Sequence, residues 1–213
     1  MTLSRQDRAV NMSRWRSTGR VETGKSGDCA TEERSLTATH VPLLRPSAAD
    51  IPFIMATERT PGYEGLVGRS EEGWHRAALA DPRLACFIGL RDGERIGFAI
   101  LRDWASREQV AHLKRFAVVR PGVGLGGPFL RAIVRAVFEE TSAWRLSLGL
   151  FPDNQRARRL YERCGFRAEG VSRGSALFDG VNRDELAMAL LRPDWAAAEG
   201  RAPASLTPVR DGI

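Results

Sequence analysis

Cysteine and histidine are scarce in this chain of 213 residues. The three cysteines, Cys29, Cys86 and Cys164, are odd in number and widely spaced, without a Cys-x-x-Cys pair. This spacing argues against a disulfide framework and against a structural zinc site. The three histidines also lie far apart, without metal-ligand spacing. We therefore expect no metal site.

Long apolar runs and blocks of like charge are absent as well. No apolar stretch approaches the roughly 18 residues of a membrane-spanning helix, and the N-terminus has no apolar signal core. We therefore expect a cytoplasmic protein with no membrane partner. The net charge of +6 fits an anionic ligand or an arginine-rich solvated surface equally well. No block of about five basic residues occurs, which argues against a nucleic-acid-binding tail.

The most informative segment that is present is the glycine-rich stretch 121–127, which reads PGVGLGG. It follows an apolar run at 116–119 and precedes a segment whose apolar residues recur at helical spacing. Pro128 stands near that helix start, where its missing N–H does no harm. Glycines let the backbone approach a ligand, and the free N–H groups of a helix N-terminus favour negative charge. The segment therefore predicts a site for a phosphate-bearing cofactor.

The spacing of the glycines excludes two common phosphate sites. Gly122, Gly124 and Gly126 alternate strictly, so the loop is neither Gly-x-Gly-x-x-Gly nor a P-loop ending in Gly-Lys-Ser/Thr. A dinucleotide site would also need an acidic residue after the next strand, at 144–151, and there Asp153 is better interpreted as a helix N-cap. The alternative is a plain strand-to-helix turn, although four glycines exceed what such a turn requires.

The patterning along the chain predicts one domain of mixed helices and strands. Residues 1–35 are polar and aperiodic and are expected to be a disordered extension outside the core. The domain is expected at 36–195, and 196–213 is expected to be a flexible C-terminal tail. Predicted helices are 48–58, 70–79, 128–141 and one that ends at Gly165. Predicted strands are 41–45, 85–90, 96–102, 110–119, 144–151, 167–173 and 184–191, with a hairpin turn at Asp92-Gly93.

A second motif follows the glycine loop, in the segment 153–166, which reads DNQRARRLYERCGF. A strand, Gly-x-Gly-x-Gly, a helix, a strand and Asn-x-x-Ala-x-x-Leu-Tyr-x-x-x-Gly-Phe resemble the GNAT superfamily of acetyl-coenzyme A-dependent N-acetyltransferases. Pro-Gly-x-Gly-x-Gly together with 182–188 (NRDELAM) resembles the RimJ/RimL-like branch. The resemblance spans about residues 41–195. Many family members carry Arg or Gln where this chain has Pro121, a variant that also occurs in the family.

The resemblance implies both a fold and a function. The implied fold is α/β (α+β), with a GNAT-like mixed, mostly antiparallel central sheet flanked by helices. The implied function is N-acetylation, with acetyl-CoA as co-substrate and a protein N-terminus or a small-molecule amine as acceptor. The alternative is a non-catalytic acyl-coenzyme A-binding or sensor protein on the same fold. Nucleic acid is not expected as a partner, because no aromatic-rich basic motif occurs, and a homodimer is left open.

The resemblance also implies residues that bind the coenzyme. Backbone N–H groups near the end of the strand before the loop would hold the acetyl group, and the glycines would surround the pyrophosphate. Asn154 would bond the pantetheine arm, cap the following helix, or do both. Arg120 or Lys114 could add positive charge. The implied coenzyme-binding residues are Phe116, Ala117, Val118, Gly122, Gly124, Gly126, Gly127 and Asn154.

Two catalytic residues are expected. Tyr161 matches the family tyrosine that acts as general acid toward the thiolate of coenzyme A, and a core aromatic is the alternative. The family often places a basic glutamate on the strand before the loop, where this chain has His112 and Lys114, which share a face by alternation. His112 is the candidate general base, because a pKa of about 6.5 suits that role. A structural histidine is the alternative reading, with Glu64 and Glu108 as other candidate bases.

Overall fold

The computed structural model describes residues 40–201, and the expected extension at 1–35 lies outside them. The described residues form one seven-stranded sheet of strand order β1-β2-β3-β4-β5-β7-β6. Only the β4–β5 pair is parallel. This confirms a mixed, mostly antiparallel sheet flanked by helices. The strands are β1 (Leu43–Leu44), β2 (Leu84–Arg91), β3 (Glu94–Arg102), β4 (Val110–Val118), β5 (Arg145–Leu150), β6 (Arg167–Phe178) and β7 (Val181–Leu191). The helices are α1 (Ile51–Glu58), α2 (Glu72–Ala80), α3 (Gly126–Glu140), α4 (Gln155–Arg163) and α5 (Arg192–Ala198).

Two Asp-Gly turns close the hairpins. Asp92 and Gly93 have φ values of 53° and 79°, which is the type I′ geometry expected between β2 and β3. Asp179 and Gly180 repeat this geometry at 50° and 78°, between β6 and β7. Both β6 and β7 are longer than the sequence predicted. The reason is that β6 is exposed along nearly its whole length, so no apolar alternation marks it.

The two faces of the sheet have separate apolar cores. On one face, α3 buries residues at helical spacing, including Phe129 and Ile133, against the sheet, where Leu148 of β5 is also buried. We call this the α3–α4 face. On the other, Ile54 of α1 packs on Ile88 and Phe98 of β2 and β3. We call this the α1–α2 face. Burial of each such side chain stabilises the fold by roughly 1.5–3 kcal/mol.

The boundaries of three elements in the structure differ from those that the sequence predicted. Asp153 is not the cap of α4, because the side-chain oxygen of Asn154 accepts the N–H of Ala157 at 3.1 Å. Helix α2 begins at Glu72, two residues after Ser70, whose N–H donates to Glu58 at 3.0 Å instead of entering the helix. At the other end, α5 continues past residue 195, because Ala196 is buried in the α3–α4 core. Gly165, with a φ of 92°, follows the end of α4 as expected.

Candidate active site

The parallel strands β4 and β5 separate before either of them ends. They pair only from Val110 with Arg145 to Leu113 with Leu148, whereas β4 continues to Val118. The β3–β4 register also shifts at this point, and Lys114 has no partner on β3. This is a β-bulge, which bends a strand and increases its twist. The sheet therefore opens like a V into a cleft of about 830 Å³.

The bulge also changes which side chains of β4 share a face. Leu113 packs in the α3–α4 core, and beyond the bulge Phe116 packs against the same core. These residues are three apart, so strict alternation is interrupted between them. Both His112 and Lys114, which the sequence predicts to share a face, line the cleft.

The glycine loop forms one wall of this cleft. Gly122 and Gly124 have φ values of 93° and 84°, a left-handed conformation that side chains disfavour. A Cβ at either position would meet nothing within 4 Å, so the backbone conformation and not crowding requires glycine. Helix α3 begins at Gly126, and Gly126 and Gly127 line the cleft. Their N–H groups belong to the first turn, where helical donors have no partner within the helix.

Positive charge surrounds the loop. Arg131 of α3 lines the cleft together with Arg159 and Arg163 of α4. Each adds a full charge to the roughly half charge at the N-terminus of α3. Open N–H groups, flexible backbone and guanidinium groups are what a pyrophosphate needs. This wall therefore fits the phosphates of a coenzyme.

Tyr161 projects from α4 into the same cleft. Its side chain is 8% exposed, and its ring stands edge-on to Phe166 with centroids 5.8 Å apart. Burial raises the pKa of its phenol, and the nearby Tyr63 and Cys164 add to the increase. The phenol is therefore protonated at neutral pH and able to donate its proton.

Tyr63, from the loop between α1 and α2, closes the other side of the V. Its Oη accepts the N–H of Val118 at 3.0 Å and donates to the carbonyl of Val118 at 3.0 Å. The next N–H, of Val119, points the other way, to the carbonyl of Ile96 on β3. The N–H and the carbonyl of Val118, which belong to neighbouring peptide groups, therefore both face the cleft, and Tyr63 bonds to both of them. Sequence reasoning missed Tyr63 because only the Pro and Gly content of this loop was informative.

His112 stands at the base of the V. Its Nδ1 lies 3.1 Å from Ser147 Oγ on β5. Burial, together with the charges of Arg102 and Lys114, lowers its pKa to about 4. At neutral pH the imidazole is uncharged, but a conjugate acid of such low pKa makes it a weak base.

A buried ionic cluster supports the α1–α2 face. The carboxylate of Glu58, at the end of α1, is completely buried and pairs with Arg115 of β4. His75 Nε2 of α2 lies 3.2 Å from the same carboxylate. Arg115 also donates to Ser70 Oγ at 3.2 Å. The cluster ties α1, α2 and β4 together beside the bulge, and no local sequence pattern pointed to it.

The remaining predicted residues divide into two groups. Asn154 lines the cleft and caps α4. The alternative bases do not line it. Glu64 accepts the N–H of Gly62 at 2.7 Å in an exposed loop, and Glu108 lies in an exposed turn. Among the described residues, the cleft is lined by a different carboxylate, Glu185 of β7, which the sequence reasoning missed.

Two further features, membrane-spanning helices and metal-binding clusters, bear on function in the described residues. Between residues 40 and 201, no helix has the length and apolar character needed to cross a bilayer. Over the same part of the chain, no group of three or more His, Cys, Asp or Glu side chains could hold a metal ion.

Comparison with known proteins agrees with this geometry. The model of the acetyltransferase (GNAT) family matches residues 53–166. The chain is 33% identical over 73 residues to the probable N-acetyltransferase YjcK of Bacillus subtilis, which is 34% of this chain and 40% of that protein. It is 35% identical over 74 residues to the ribosomal protein uS5-alanine N-acetyltransferase of Escherichia coli, which is 35% of this chain and 38% of that protein. The chain thus spans about two fifths of the length of these curated relatives.

A solved structure shows the same fold. The spermidine N-acetyltransferase of Vibrio cholerae, in complex with CoA and spermine, superposes with a TM-score of 0.63 at 18% identity, over 73% of this chain and 98% of that one. The family match covers more than half of this chain and contains the glycine loop, the parted strands and Tyr161. The resemblance found in the sequence is thereby confirmed at the level of the superfamily, and the chain belongs to the acetyltransferase (GNAT) family.

Proposed function

We propose that this protein transfers an acetyl group from acetyl-CoA to a primary amine. The observation that carries the proposal is the V between β4 and β5, with the glycine loop and the N-terminus of α3 on one side. A thioester arm needs a slot with peptide groups along it, and its phosphates need N–H donors at the slot's mouth. The cleft offers both within one continuous space.

The coenzyme-binding residues have separate roles. The N–H groups of Gly126 and Gly127 and the flexible backbone at Gly122 and Gly124 receive the pyrophosphate. The peptide groups of 116–118 receive the thioester end of the arm, which supplies an activated acetyl carbonyl. Asn154 lies where its amide can bond the arm while its oxygen caps α4. CoA complexes among proteins of this fold support the assignment.

Tyr161 supplies the proton for the departing sulfur. Burial raises the pKa of the phenol, which is therefore protonated at neutral pH but is a weaker proton donor than an exposed tyrosine. His112 stays the predicted base, although its lowered pKa argues against strong base catalysis. A protonated acid inside the cleft favours an enzyme over a protein that only binds the coenzyme.

The acceptor is proposed to be a small-molecule amine or a peptide N-terminus. The 35% identity to an enzyme named for acetylating an alanine of ribosomal protein uS5 supports placement in the RimJ/RimL-like branch. The neighbour solved with spermine supports a small amine instead. Either acceptor reaches the acetyl group from the α1–α2 face, because the glycine loop and α4 occupy the other side.

The test is Gly124→Glu, with Gly93→Glu as its matched control. Both glycines have a positive φ and open space around them, so both variants carry a similar strain of about 1–2 kcal/mol. Only Gly124→Glu places a carboxylate in the phosphate wall. We expect wild type and Gly93→Glu to release thiol from acetyl-CoA with an amine panel, and Gly124→Glu to lose coenzyme binding by calorimetry. Equal binding by both variants would contradict the placement of the coenzyme, and coenzyme binding without thiol release would indicate a non-catalytic binder.

A further inference from the structure

Glu185 is the only carboxylate among the described residues that line the cleft. It lies on β7, one residue beyond the last β5–β7 pair, which joins Leu150 to Leu186. The same lining contains seven lysine and arginine side chains. A functional role would account for a single carboxylate in a cleft with so many cationic side chains.

Two neighbours fix the position of this carboxylate. Ser175 Oγ of β6 donates to Glu185 Oε2 at 2.9 Å. On β5, a Cβ built on Gly149 would lie 2.7 Å from Glu185 Oε1, which is closer than real contacts allow. Glycine at 149 therefore leaves the space in which the Glu185 side chain lies across β5. Gly149 follows Leu148, the last residue of β5 that pairs with β4, so the carboxylate stands at the mouth of the V.

The face on which Glu185 lies is set by strand alternation. Leu148 and Leu186 are buried in the α3–α4 core, so Gly149 and Glu185 project to the opposite face. The same reasoning places Ser147, the partner of His112, beside them. Glu185 thus faces the side of the sheet opposite the glycine loop, from which an acceptor would enter.

The charges around Glu185 leave its carboxylate available. Arg183, two residues earlier, is directed elsewhere: it donates to the carbonyl of Gly65 at 2.7 Å and pairs with Asp153 at 3.6 Å. The facing cation is Lys114, on the opposite arm of the V. Burial lowers the pKa of Lys114, the charges of Arg115 and Arg102 lower it further, and the charge of Glu185 opposes that shift. With one hydrogen bond from Ser175, the carboxylate keeps acceptor sites for a ligand.

We propose that Glu185 binds the ammonium group of the acceptor and takes its proton. The proposal rests on the acetyltransferase function proposed above and assigns the base to β7 in place of His112 of β4, whose lowered pKa makes it a weak base. One proton passes from the acceptor nitrogen to the Glu185 carboxylate, which frees the nitrogen lone pair. That nitrogen then forms the bond to the thioester carbonyl carbon and loses its second proton to water. The carbon–sulfur bond breaks, and the sulfur takes a proton from Tyr161.

The chemistry defines a class of acceptor. A carboxylate at the entrance selects amines that are ammonium ions at neutral pH, because it both attracts the charge and removes the proton. An amine that is already neutral carries no charge for the carboxylate to attract, and it does not have to lose a proton before it attacks. The dependence of the rate on the pKa of the acceptor is therefore the signature of this residue.

The experiment compares Glu185→Gln with wild type and with Glu94→Gln, an exposed residue at the start of β3 that lies outside the cleft. Gln keeps the shape of the side chain and can still accept from Ser175. The substrates are the best acceptor from the wild-type amine panel and its analogue fluorinated beside the nitrogen, which lowers the pKa of the amine. We expect Glu185→Gln to lower kcat/KM by about 10²- to 10⁴-fold for the parent amine. For the fluorinated analogue the loss should be smaller by about tenfold or more, and acetyl-CoA binding should match wild type by calorimetry.

A second variant tests the geometry without removing the carboxylate. Gly149→Ala places a methyl group where Glu185 lies, and it should lower kcat/KM in the same direction while leaving coenzyme binding unchanged. Unchanged kinetics of Glu185→Gln, or an equal loss for both amines, would overturn the assignment. A wild-type protein that binds the coenzyme but acetylates no amine would instead overturn the proposed function, and this assignment with it.

Discussion

The two faces of the sheet are built from the sequence in different ways. On the α3–α4 face, the glycine loop and Tyr161 that line the cleft come from one continuous segment between Val110 and Phe166. The α1–α2 face gathers its polar residues from segments far apart in the chain: Glu58, Tyr63, Arg115 and Glu185. A site made of one segment leaves a motif that can be recognised, whereas a site gathered from several segments becomes visible only after folding.

The largest expected effect tests the chemistry on the α3–α4 face. Tyr161→Phe keeps the ring against Phe166 but removes the proton that we assign to the departing sulfur. We expect kcat to fall by about 10²- to 10⁴-fold. The melting temperature should barely change, because the ring keeps its packing against Phe166 and only the hydroxyl is removed. An unchanged kcat, or a rate loss that follows a loss of stability, would favour a core aromatic.

The next effect tests the α1–α2 face through stability. Glu58→Gln removes a fully buried charge and leaves Arg115 and His75 without their anion. Breaking a buried ion pair from one side costs about 3–5 kcal/mol, and we expect the free energy of unfolding in urea to fall by that amount.

The control for Glu58→Gln is Glu140→Gln, which removes an exposed pair with Arg45 at 3.3 Å. Exposed pairs contribute about 0–1 kcal/mol, so this variant should remain close to wild type. Equal losses in the two variants would mean that the buried cluster does not hold the face together.

The smallest effect concerns His112 and the pH dependence of stability. Its pKa is lowered in the folded protein from 6.5 to about 4, so the unfolded chain binds more protons between these values. Stability should therefore be complete above pH 6.5 and fall as the pH drops toward 4. The lowered pKa limits this loss to about 3 kcal/mol.

His112→Asn removes the titrating group and should flatten this part of the curve. The measurement is the free energy of unfolding of both proteins at several pH values between 7.5 and 4. Parallel curves would show that the imidazole is more open to water than its burial beside Ser147 indicates.

Features that depend on one local stretch of the chain were predicted from the sequence, whereas features assembled from distant segments were missed. Alternating apolar residues and turn signals predicted the main strands, and the Gly-x-Gly-x-Gly loop predicted a phosphate wall before any tertiary contact was known. Glu185 carried a partial signal, because it alternates with Leu186 and Met188 and so had to face away from the core. That it lies over Gly149 required the β5–β7 register, which pairs residues almost 40 positions apart in the chain. The bulge at Lys114 gave no signal either, since its cause is the mismatch between two strands.

The contact of Tyr63 with Val118 makes the two faces compete for the same pair of backbone polar atoms. The phenol holds both the N–H and the carbonyl of Val118 from the α1–α2 side. Any ligand that bonds to both atoms from within the V must displace the ring, and with it the loop between α1 and α2. Linkage makes this exchange reciprocal, so a change that loosens the loop tightens such a ligand by the same factor. We therefore expect the conformation of this loop to change when a ligand occupies both backbone atoms of Val118.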